Sequence, residues 1–353
     1  MAVRSVRIES FRCFDTVDFE LDPRATLFNG PNASGKTSLL EAIFLLGRGR
    51  SFRAPRLDSA IRHGQSRLAV SGTIDHGASE AALRIEYSNG QTAAHFRSEP
   101  LPSLAQLSAI LPVQVIDPGI HKLVEEGPQR RRRLMDWGTF HVEPAFLSTW
   151  QRFYRALQQR NTALQQRAIG DLDAWDSVLV GPAEEVAAIR ARYLQQSLPY
   201  LEDACENLTG SAVSITYCQG WPNQGLATAI ERARATDYRR RTTTLGPHRA
   251  DLLIEVCQRS AKTVVSRGQQ KLLAAGLILG QLEYHIARHG LRPTLLLDDP
   301  AAELDGEAIS RFAHRAFGLA AQLVLTSLPG SAPSLINFNR EFHVEQGRVK
   351  RVL

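Results

Sequence analysis

Residues 30–37, Gly-Pro-Asn-Ala-Ser-Gly-Lys-Thr, fit the phosphate-binding pattern G-x-x-x-x-G-K-[ST] at every fixed position. An apolar run precedes them at 25–28 and a helical pattern follows at 38–46, which is the strand-loop-helix context that the pattern needs. Glycines allow a tight turn whose N–H groups face a phosphate, and the helix adds its positive N-terminal end. The alternative is a chance glycine turn before a helix.

Two side chains of this loop have specific chemistry. Lys36 would reach the β- and γ-phosphates of a nucleoside triphosphate, and the Thr37 hydroxyl would hold Mg²⁺. We therefore predict Lys36 as a catalytic residue and Thr37 as a metal ligand. The nucleotide-binding residues predicted here are Gly30, Pro31, Asn32, Ala33, Ser34, Gly35, Lys36, Thr37 and Ser38.

A pair of carboxylates, Asp298 and Asp299, begins 262 residues after Lys36 and directly follows the apolar run at 294–297. A buried parallel strand reads as a continuous apolar run, and ligands bind at the carboxyl ends of such strands. Asp298 can hold Mg²⁺ there, and Asp299 can polarise the water that attacks the γ-phosphate. The alternative is an acidic Asp-Asp-Pro turn that caps a helix containing residues 303–305.

The elements that must position these groups change in character along the chain. Alternating patterns predict strands at 3–9, 17–21, 67–71 and 82–87, with a hairpin turn at Asn89 and Gly90, and a further strand at 111–116. Strand patterns resume at 211–217 and 250–256. The sequence therefore predicts one α/β nucleotide-binding domain, split by an insertion.

The insertion is rich in helix formers from about 129 to 207. Apolar residues from Phe146 to Leu164 follow a coiled-coil-like spacing, and a turn at 170–171 leads to a return helix. We predict two long antiparallel helices, the second kinked or split at Gly181 and Pro182.

Composition narrows the functional classes. No apolar run approaches 18 residues and the first residues lack a signal-peptide core, so we expect a cytoplasmic protein without a membrane partner. The cysteines show no C-x-x-C spacing and are predicted to be reduced thiols: Cys13, Cys205, Cys218 and Cys257.

The chain is basic, with a net charge of +6, which favours a polyanionic partner. Arginines form runs at 130–133 and 239–241, and the helical insertion adds Arg152, Arg155, Arg160 and Arg167. Such density favours contact with DNA phosphates; the alternative is a solvated helix face.

A third element, residues 265–271 (Val-Ser-Arg-Gly-Gln-Gln-Lys), opens an apolar helix. A hydroxyl residue and a glycine at a helix start offer exposed N–H groups and a positive dipole to an anion, although a plain helix cap has the same pattern. The order of the motifs resembles the ATP-binding-cassette (ABC) ATPases, in the branch with the structural-maintenance (SMC) and double-strand-break-repair (Rad50) ATPases.

Within that branch the chain resembles the RecF family of bacterial recombinational and gap-repair proteins. The matching segments run through the whole sequence in family order: residues 8–12, 30–37, 126–137, 159–161, 245–249 with Asp251, 266–271 and 297–305. The resemblance implies an α/β, ABC-ATPase-like phosphate-loop head with mixed sheets, interrupted by a helical, antiparallel coiled-coil-like arm. We place the head at 1–125 and 205–353 and the arm at 126–204.

The resemblance also implies a mechanism and partners. Two copies would close on DNA around ATP, with Lys36 and Thr37 of one copy on the nucleotide and Mg²⁺. Cofactor-binding residues of the other copy would contact the γ-phosphate: Ser266, Gly268 and Gln269. The implied partners are double-stranded or gapped DNA, including single-strand/double-strand junctions, and the RecO and RecR mediators, which help to load the RecA recombinase.

Three positions depart from the family pattern or match it weakly. Ala33 stands where relatives carry glycine, and because alanine disfavours positive φ, we expect it to be helical or extended. Thr326 and Ser327 stand where transporter cassettes carry a histidine. Gln114 is a third metal-ligand prediction; the alternative is a plain strand residue.

The function predicted from these observations is a DNA-binding ATPase of gap repair with weak, DNA-stimulated turnover. One rival is a DNA-binding scaffold whose nucleotide site is only structural. The other is a transporter-type ATP cassette, against which the missing histidine and the helical insertion argue.

Overall fold

The computed structural model describes residues 2–77, 79–166, 172–290, 292–300, 306–319, 322–331 and 336–353. Contacts divide the chain into two compact units. The first unit contains residues 1–120 and 286–353, and the second contains residues 121–285.

The first unit is built on a mixed sheet with the strand order β15-β14-β3-β13-β12-β8. Nearly every residue of its central parallel strands is buried, as expected for strands that are covered on both faces. The strands are β3 (Ala25–Asn29), β8 (Val113–Ile116), β12 (Thr294–Asp298), β13 (Gln322–Ser327), β14 (Arg340–Glu345) and β15 (Arg348–Arg351). The carboxyl ends of β3 and β12 thus lie at the same edge of this sheet, separated by β13.

An antiparallel sheet completes the first unit, in the order β2-β1-β4-β5-β6-β7. Its strands are β1 (Val3–Phe11), β2 (Phe14–Glu20), β4 (Arg67–His76), β5 (Ser79–Ser88), β6 (Gln91–Phe96) and β7 (Glu99–Pro100). The predicted hairpin turn between β5 and β6 is confirmed, with positive φ at both Asn89 and Gly90. Such a pair of left-handed residues is typical of the type I′ turn.

Helix α1 (Lys36–Arg48) contacts strands of both sheets. Its apolar side chains, Leu39, Leu40 and Ile43 among them, are fully buried in one core with residues of both sheets. The remaining described elements of this unit are a 3₁₀ turn (Leu57–Ala60), α2 (Ala105–Ile110) and α10 (Gly306–Leu319). Because α1 begins at Lys36, its burial fixes the residue that ends the phosphate loop.

The second unit combines helices with a three-stranded antiparallel sheet in the order β11-β10-β9. In chain order its elements are α3 (Lys122–Glu125), α4 (Pro128–Val142), α5 (Phe146–Gln166), α6 (Leu172–Thr209), β9 (Val213–Cys218), α7 (Leu226–Arg240), a 3₁₀ turn (Pro247–Arg249), β10 (Asp251–Val256), β11 (Arg259–Ser260), α8 (Ala261–Val264) and most of α9 (Arg267–His289), whose last four residues belong to the first unit. The predicted helical stretch and both later strands are therefore present.

The prediction that Gly181 and Pro182 split the second long helix is wrong, since α6 continues through both. An interior proline costs about 3 kcal/mol because it lacks the N–H and clashes with the preceding turn. Packing on α5 offsets this, with Leu179, Ala183 and Val186 buried in one cluster with α5 residues. Whether the helix bends there stays a prediction. The predicted turn at 170–171, like Arg167, lies outside the described residues.

The compact units do not follow the predicted head and arm boundaries. Residues 205–285, which we assigned to the head, cluster with the helical segment. The functional division into head and arm stays a prediction.

Two further expectations concern cysteines and membranes. All four cysteines lie in the described part of the chain, and none of them forms a disulfide. In the part of the chain that the structure describes, no helix combines the length and the apolarity needed to cross a bilayer.

Candidate functional site

The phosphate loop follows β3 and contains three residues in the left-handed region. The φ angles are 155° at Gly30, 60° at Ala33 and 114° at Gly35. A side chain at Gly30 would meet the carbonyl oxygen of Val344 at 2.2 Å, so glycine is required there by space as well as by conformation. The expectation that Ala33 is helical or extended is wrong: this alanine adopts the strained conformation that glycine would take without cost.

Lys36 closes back over the loop. Its Nζ donates to the carbonyl oxygens of Gly30 at 2.7 Å and Pro31 at 2.8 Å. Burial lowers the pKa of Lys36, and the nearby Asp299 and Asp298 carboxylates oppose that shift. The ammonium group is therefore held by neutral carbonyls, which more strongly interacting phosphate oxygens can replace.

The structure brings together the two predicted segments. Thr37 Oγ1 donates to Asp298 Oδ1 at 2.9 Å. The hydroxyl of Thr326 donates to the same oxygen at 2.8 Å and accepts the backbone N–H of Asp299 at 3.0 Å. Thr326 thus orients both acidic residues. Its position, where transporter cassettes carry a histidine, did not indicate this role.

These residues fit a magnesium-bound triphosphate. Thr37 and Asp298 offer hard oxygen atoms, and Mg²⁺ is usually held by one or two carboxylates together with substrate phosphates. Among the described residues no group of three or more His, Cys, Asp or Glu side chains is placed to hold a metal by itself. In the loop the buried Ser34 Oγ has no hydrogen-bond partner, which leaves it available to a phosphate oxygen.

The other loop residues differ in exposure. Pro31, Asn32 and Ala33 are exposed, whereas Ser38 is buried. A side chain at Gly35 would meet the Phe14 ring at 2.8 Å and Cys13 Sγ at 2.9 Å, so the β1–β2 turn packs directly on the loop.

Gln114 lies in the middle of β8, level with Leu295 on β12. Asp298 lies three residues further along β12, which is about 10 Å at the rise of a strand. This register does not favour a shared metal. The metal-ligand role of Gln114 stays a prediction.

Glu41 of α1 is a residue that sequence reasoning missed. It is fully buried and pairs with Arg12, which donates through Nε at 2.9 Å and Nη2 at 2.6 Å. Ser51 donates to the same carboxylate, as does Arg53 at 3.3 Å. The network ties the β1–β2 turn to the helix that carries Lys36. A single acid within the apolar run at 38–46 was the signal that could have found it.

The helix start at 266–269 lies in the second unit. The Ser266 N–H donates to Gln269 Oε1 at 3.1 Å, and the Gln269 N–H donates to Ser266 Oγ at 3.3 Å. This reciprocal pair is a capping box. Ser266 and Gln269 are exposed and Gly268 is half-buried, so an anion could approach this end of α9.

Several of the clustered arginines are structural. Arg131 makes a two-pronged contact with Asp251, at 2.7 and 3.0 Å, and Arg132 donates to the Ala250 carbonyl at 2.7 Å. Arg160 is fully buried between Asp176 and Asp237. The prediction that density alone marks DNA contacts is therefore wrong for Arg131 and Arg160, which are not accessible to a DNA backbone.

The exposed arginines divide into two groups. Arg130 pairs with Glu126 and Arg152 pairs with Glu185. Those whose exposed side chains remain candidates for a polyanion are Arg133, Arg155, Arg239, Arg240 and Arg241.

Another buried arginine, Arg190, holds the loop that contains His248. Arg190 donates to the Pro247 carbonyl at 2.7 Å and pairs with Asp136. His248 Nε2 lies 3.0 Å from the Thr243 carbonyl, so this nitrogen carries the proton of the neutral ring. Burial lowers the pKa of His248 to about 4, and the positive charge of nearby arginines acts in the same direction.

Sequence comparison places this geometry among known proteins. A family model described as RecF/RecN/SMC N terminal domain matches residues 2–345. The chain is 34% identical over 377 residues to the DNA replication and repair protein RecF of Hahella chejuensis, with 100% of each chain covered. It is 36% identical over 364 residues to the protein of the same name from Xanthomonas oryzae pv. oryzae, covering 99% of this chain and 98% of that one.

Solved structures share the fold. A structure of the recombination mediator protein RecF with ATP, in the RecFOR pathway, matches with a TM-score of 0.90 at 22% identity and covers 100% of this chain and 98% of that one. An Smc head bound to the C-winged helix domain of ScpA matches with a TM-score of 0.60 at 16% identity, covering 100% of this chain and 97% of that one. The predicted ABC-ATPase-like α/β fold is confirmed.

Proposed function

This chain belongs to the RecF/RecN/SMC N-terminal domain family, and we propose that it is a DNA-binding ATPase that acts in the repair of replication gaps. The observation that carries the proposal is the hydrogen bond from Thr37 to Asp298, across 261 residues of sequence. It joins the phosphate loop to the carboxylate strand, the two halves that hydrolysis of a magnesium-bound triphosphate needs.

Each residue of the site has a part in the proposed chemistry. Bound MgATP would supply the γ-phosphoryl group and the cation that neutralises its charge. Lys36 would exchange its two carbonyl partners for phosphate oxygens, and Thr37 and Asp298 would hold the metal. Asp299, whose backbone is fixed by Thr326, would polarise the attacking water.

We further propose that the catalytic site is completed by a second copy of the chain on DNA. The exposure of Ser266 and Gln269 at the start of α9 supports this. If these side chains were buried, they could not contact a nucleotide that is bound to another copy. Since ATP would then be sandwiched between copies, binding would drive association and hydrolysis would drive release. The RecFOR pathway named for the structural relative supports RecO and RecR as partners. We propose that they act with this chain in the cytoplasm to load RecA.

Two variants test the site and the dimer separately. Asp299→Asn should still bind ATP and dimerise, but it should not hydrolyse ATP, because the amide cannot polarise the attacking water. Ser266→Arg should bind ATP as a monomer, because the arginine side chain would fill the space that the γ-phosphate of ATP on the other copy needs. ATP turnover and sedimentation would be measured with gapped, double-stranded and single-stranded DNA over a salt series, where a steep salt dependence reports phosphate contacts.

Three results would count against the proposal. Normal turnover in Asp299→Asn would remove the water-polarising role, and ATP-dependent dimers of Ser266→Arg would remove the shared site. Zero turnover of the unmodified protein with and without DNA would favour a scaffold with a structural nucleotide site.

A further inference from the structure

A second part of the chain shapes the phosphate loop. The 340–351 hairpin consists of β14, β15 and the turn at Gln346 and Gly347. Strand β14 pairs in parallel with β3, and the last pair in the register is His343 with Asn29. The hairpin therefore runs beside the strand that leads into the loop and continues past its first residue.

The hairpin contacts the loop at both ends. At the entrance, the Val344 carbonyl occupies the space that a side chain at Gly30 would fill. At the far end, the Gly347 N–H donates to the Ser34 carbonyl at 3.2 Å. Between them the loop makes its left-handed turn at Ala33.

Side chains reinforce the entrance. The Asn29 amide donates to the Glu341 carboxylate, and His343 Nδ1 lies 3.0 Å from Asn29 Oδ1. Asn29 is thereby held from both sides immediately before Gly30. The direction in which the chain enters the loop is set by β14.

The loop needs such support because its conformation is unfavourable by itself. A left-handed alanine costs about 1–2 kcal/mol relative to the right-handed region. An isolated loop with Ala33 would relax, and its N–H groups would lose their common orientation toward a phosphate. The Gly347 hydrogen bond acts on the carbonyl of the residue that directly follows Ala33.

We propose that the 340–351 hairpin is a positioning element of the nucleotide site, and that Gly347 holds Ala33 and Ser34 in the phosphate-binding conformation. This inference rests on the proposed binding of ATP at residues 30–37. Gly347 acts through the loop and does not itself contact the nucleotide.

Gly347 is suited to a sharp test. Its φ is 73°, and a side chain there would come within 3.0 Å of the Cys13 carbonyl on the β1–β2 turn. Gly347→Ala therefore requires the hairpin tip or the β1–β2 turn to shift by a few tenths of an ångström, which strains the hydrogen bond to Ser34. Gly90 gives a matched control, because its φ is 77° in another hairpin turn and a side chain there would meet nothing within 4 Å.

The experiment measures binding of a fluorescent ATP analogue with Mg²⁺ and, in parallel, the thermal unfolding of each variant. Gly347→Ala should weaken the affinity about fivefold, the value of one lost hydrogen bond. Gly90→Ala should lower the unfolding temperature through the same left-handed backbone strain, without the contact to Cys13, and leave the affinity unchanged.

A rescue variant separates positioning from general stability. Ala33→Gly makes the left-handed turn intrinsically accessible, so the double variant Ala33→Gly/Gly347→Ala should regain the affinity of the unmodified protein although the close approach to Cys13 remains. An affinity loss in Gly347→Ala no larger than in Gly90→Ala, or no recovery in the double variant, would overturn the proposal. Absence of analogue binding in the unmodified protein would instead refute the proposed nucleotide site.

Discussion

The positive charges of the phosphate loop and those of the helical segment differ in the charge of their hydrogen-bond partners. Lys36 is held by two neutral carbonyls of its own loop. Arg160 is held by two carboxylates, Asp176 and Asp237, with all three side chains buried. A carbonyl is easily replaced by an incoming anion, whereas removing a buried carboxylate leaves an uncompensated charge.

The partner of a cation thus distinguishes a functional cation from a structural one. Both kinds sit in sequence motifs and both are largely buried, so burial does not decide. What decides is whether the present partner can be exchanged. We therefore expect substitutions in the helical segment to lower the free energy of unfolding, and substitutions in the phosphate loop to lower the affinity for ATP.

The largest effect is expected from Asp237→Ala, which leaves Arg160 buried with one carboxylate missing. We expect the second unit to lose about 3–5 kcal/mol of unfolding free energy. All four tryptophans lie between positions 137 and 221, so urea unfolding followed by tryptophan fluorescence reports on this unit. Asp173→Ala is the control, because that carboxylate is 81% exposed beside Arg234 and should contribute less than about 1 kcal/mol. Equal losses in both variants would contradict the structural role of the buried pair of Arg160 and Asp237.

Lys36→Met should give the opposite result. Loss of charged hydrogen bonds, each worth about 1.5–3 kcal/mol, should weaken binding of an ATP analogue about ten- to a hundredfold. Folding should not suffer, because burial of the ammonium is itself unfavourable, as its lowered pKa indicates. The measurements are analogue titration and thermal unfolding. A large drop in stability with retained affinity would show that Lys36 is structural.

A smaller effect should follow from acidification. The His248 pKa is lowered to about 4 by burial, so the folded state disfavours the proton that an unfolded histidine binds near pH 6.5. The stability that neutral His248 contributes is complete above pH 6.5 and is lost as pH falls toward 4. Tryptophan-monitored unfolding should show a loss of about 2 kcal/mol between pH 7 and pH 5 from this group. His248→Gln should reduce the pH dependence by that amount; an unchanged profile would contradict it.

The smallest effect concerns DNA. Arg133 is exposed, so Arg133→Ala should lower the salt dependence of DNA binding by about one phosphate contact. Arg131→Lys should leave that slope unchanged and lower stability, because lysine cannot reproduce the two-pronged contact with Asp251. A reduced slope in Arg131→Lys would show that Arg131 contacts DNA despite its pairing with Asp251.

Much of the geometry of the candidate nucleotide site was predictable because its signals are local. The loop pattern, the apolar strand before Asp298 and the turn at Asn89 and Gly90 each depend on neighbours within a few residues. The capping box at Ser266 is equally local.

What could not be predicted depends on distant partners. Arg131 reads as part of a basic run until Asp251 is placed beside it, 120 residues away in sequence. Ala33 was expected to avoid positive φ because intrinsic preference was the only available guide, and the Gly347 hydrogen bond from the far end of the sequence was hidden. The continuity of α6 through Pro182 likewise depends on packing against α5.

The place of β3 in the mixed sheet imposes an order on events during synthesis. Its two neighbours, β13 and β14, both come near the end of the sequence, and the first residue of β13 follows Asn29 by 293 positions. At about 5–20 residues per second, β3 waits roughly 15–60 s on the ribosome for a partner. The contiguous second unit is complete before then. The apolar strand that precedes the phosphate loop therefore stays without its neighbouring strands until nearly the whole chain has been synthesised.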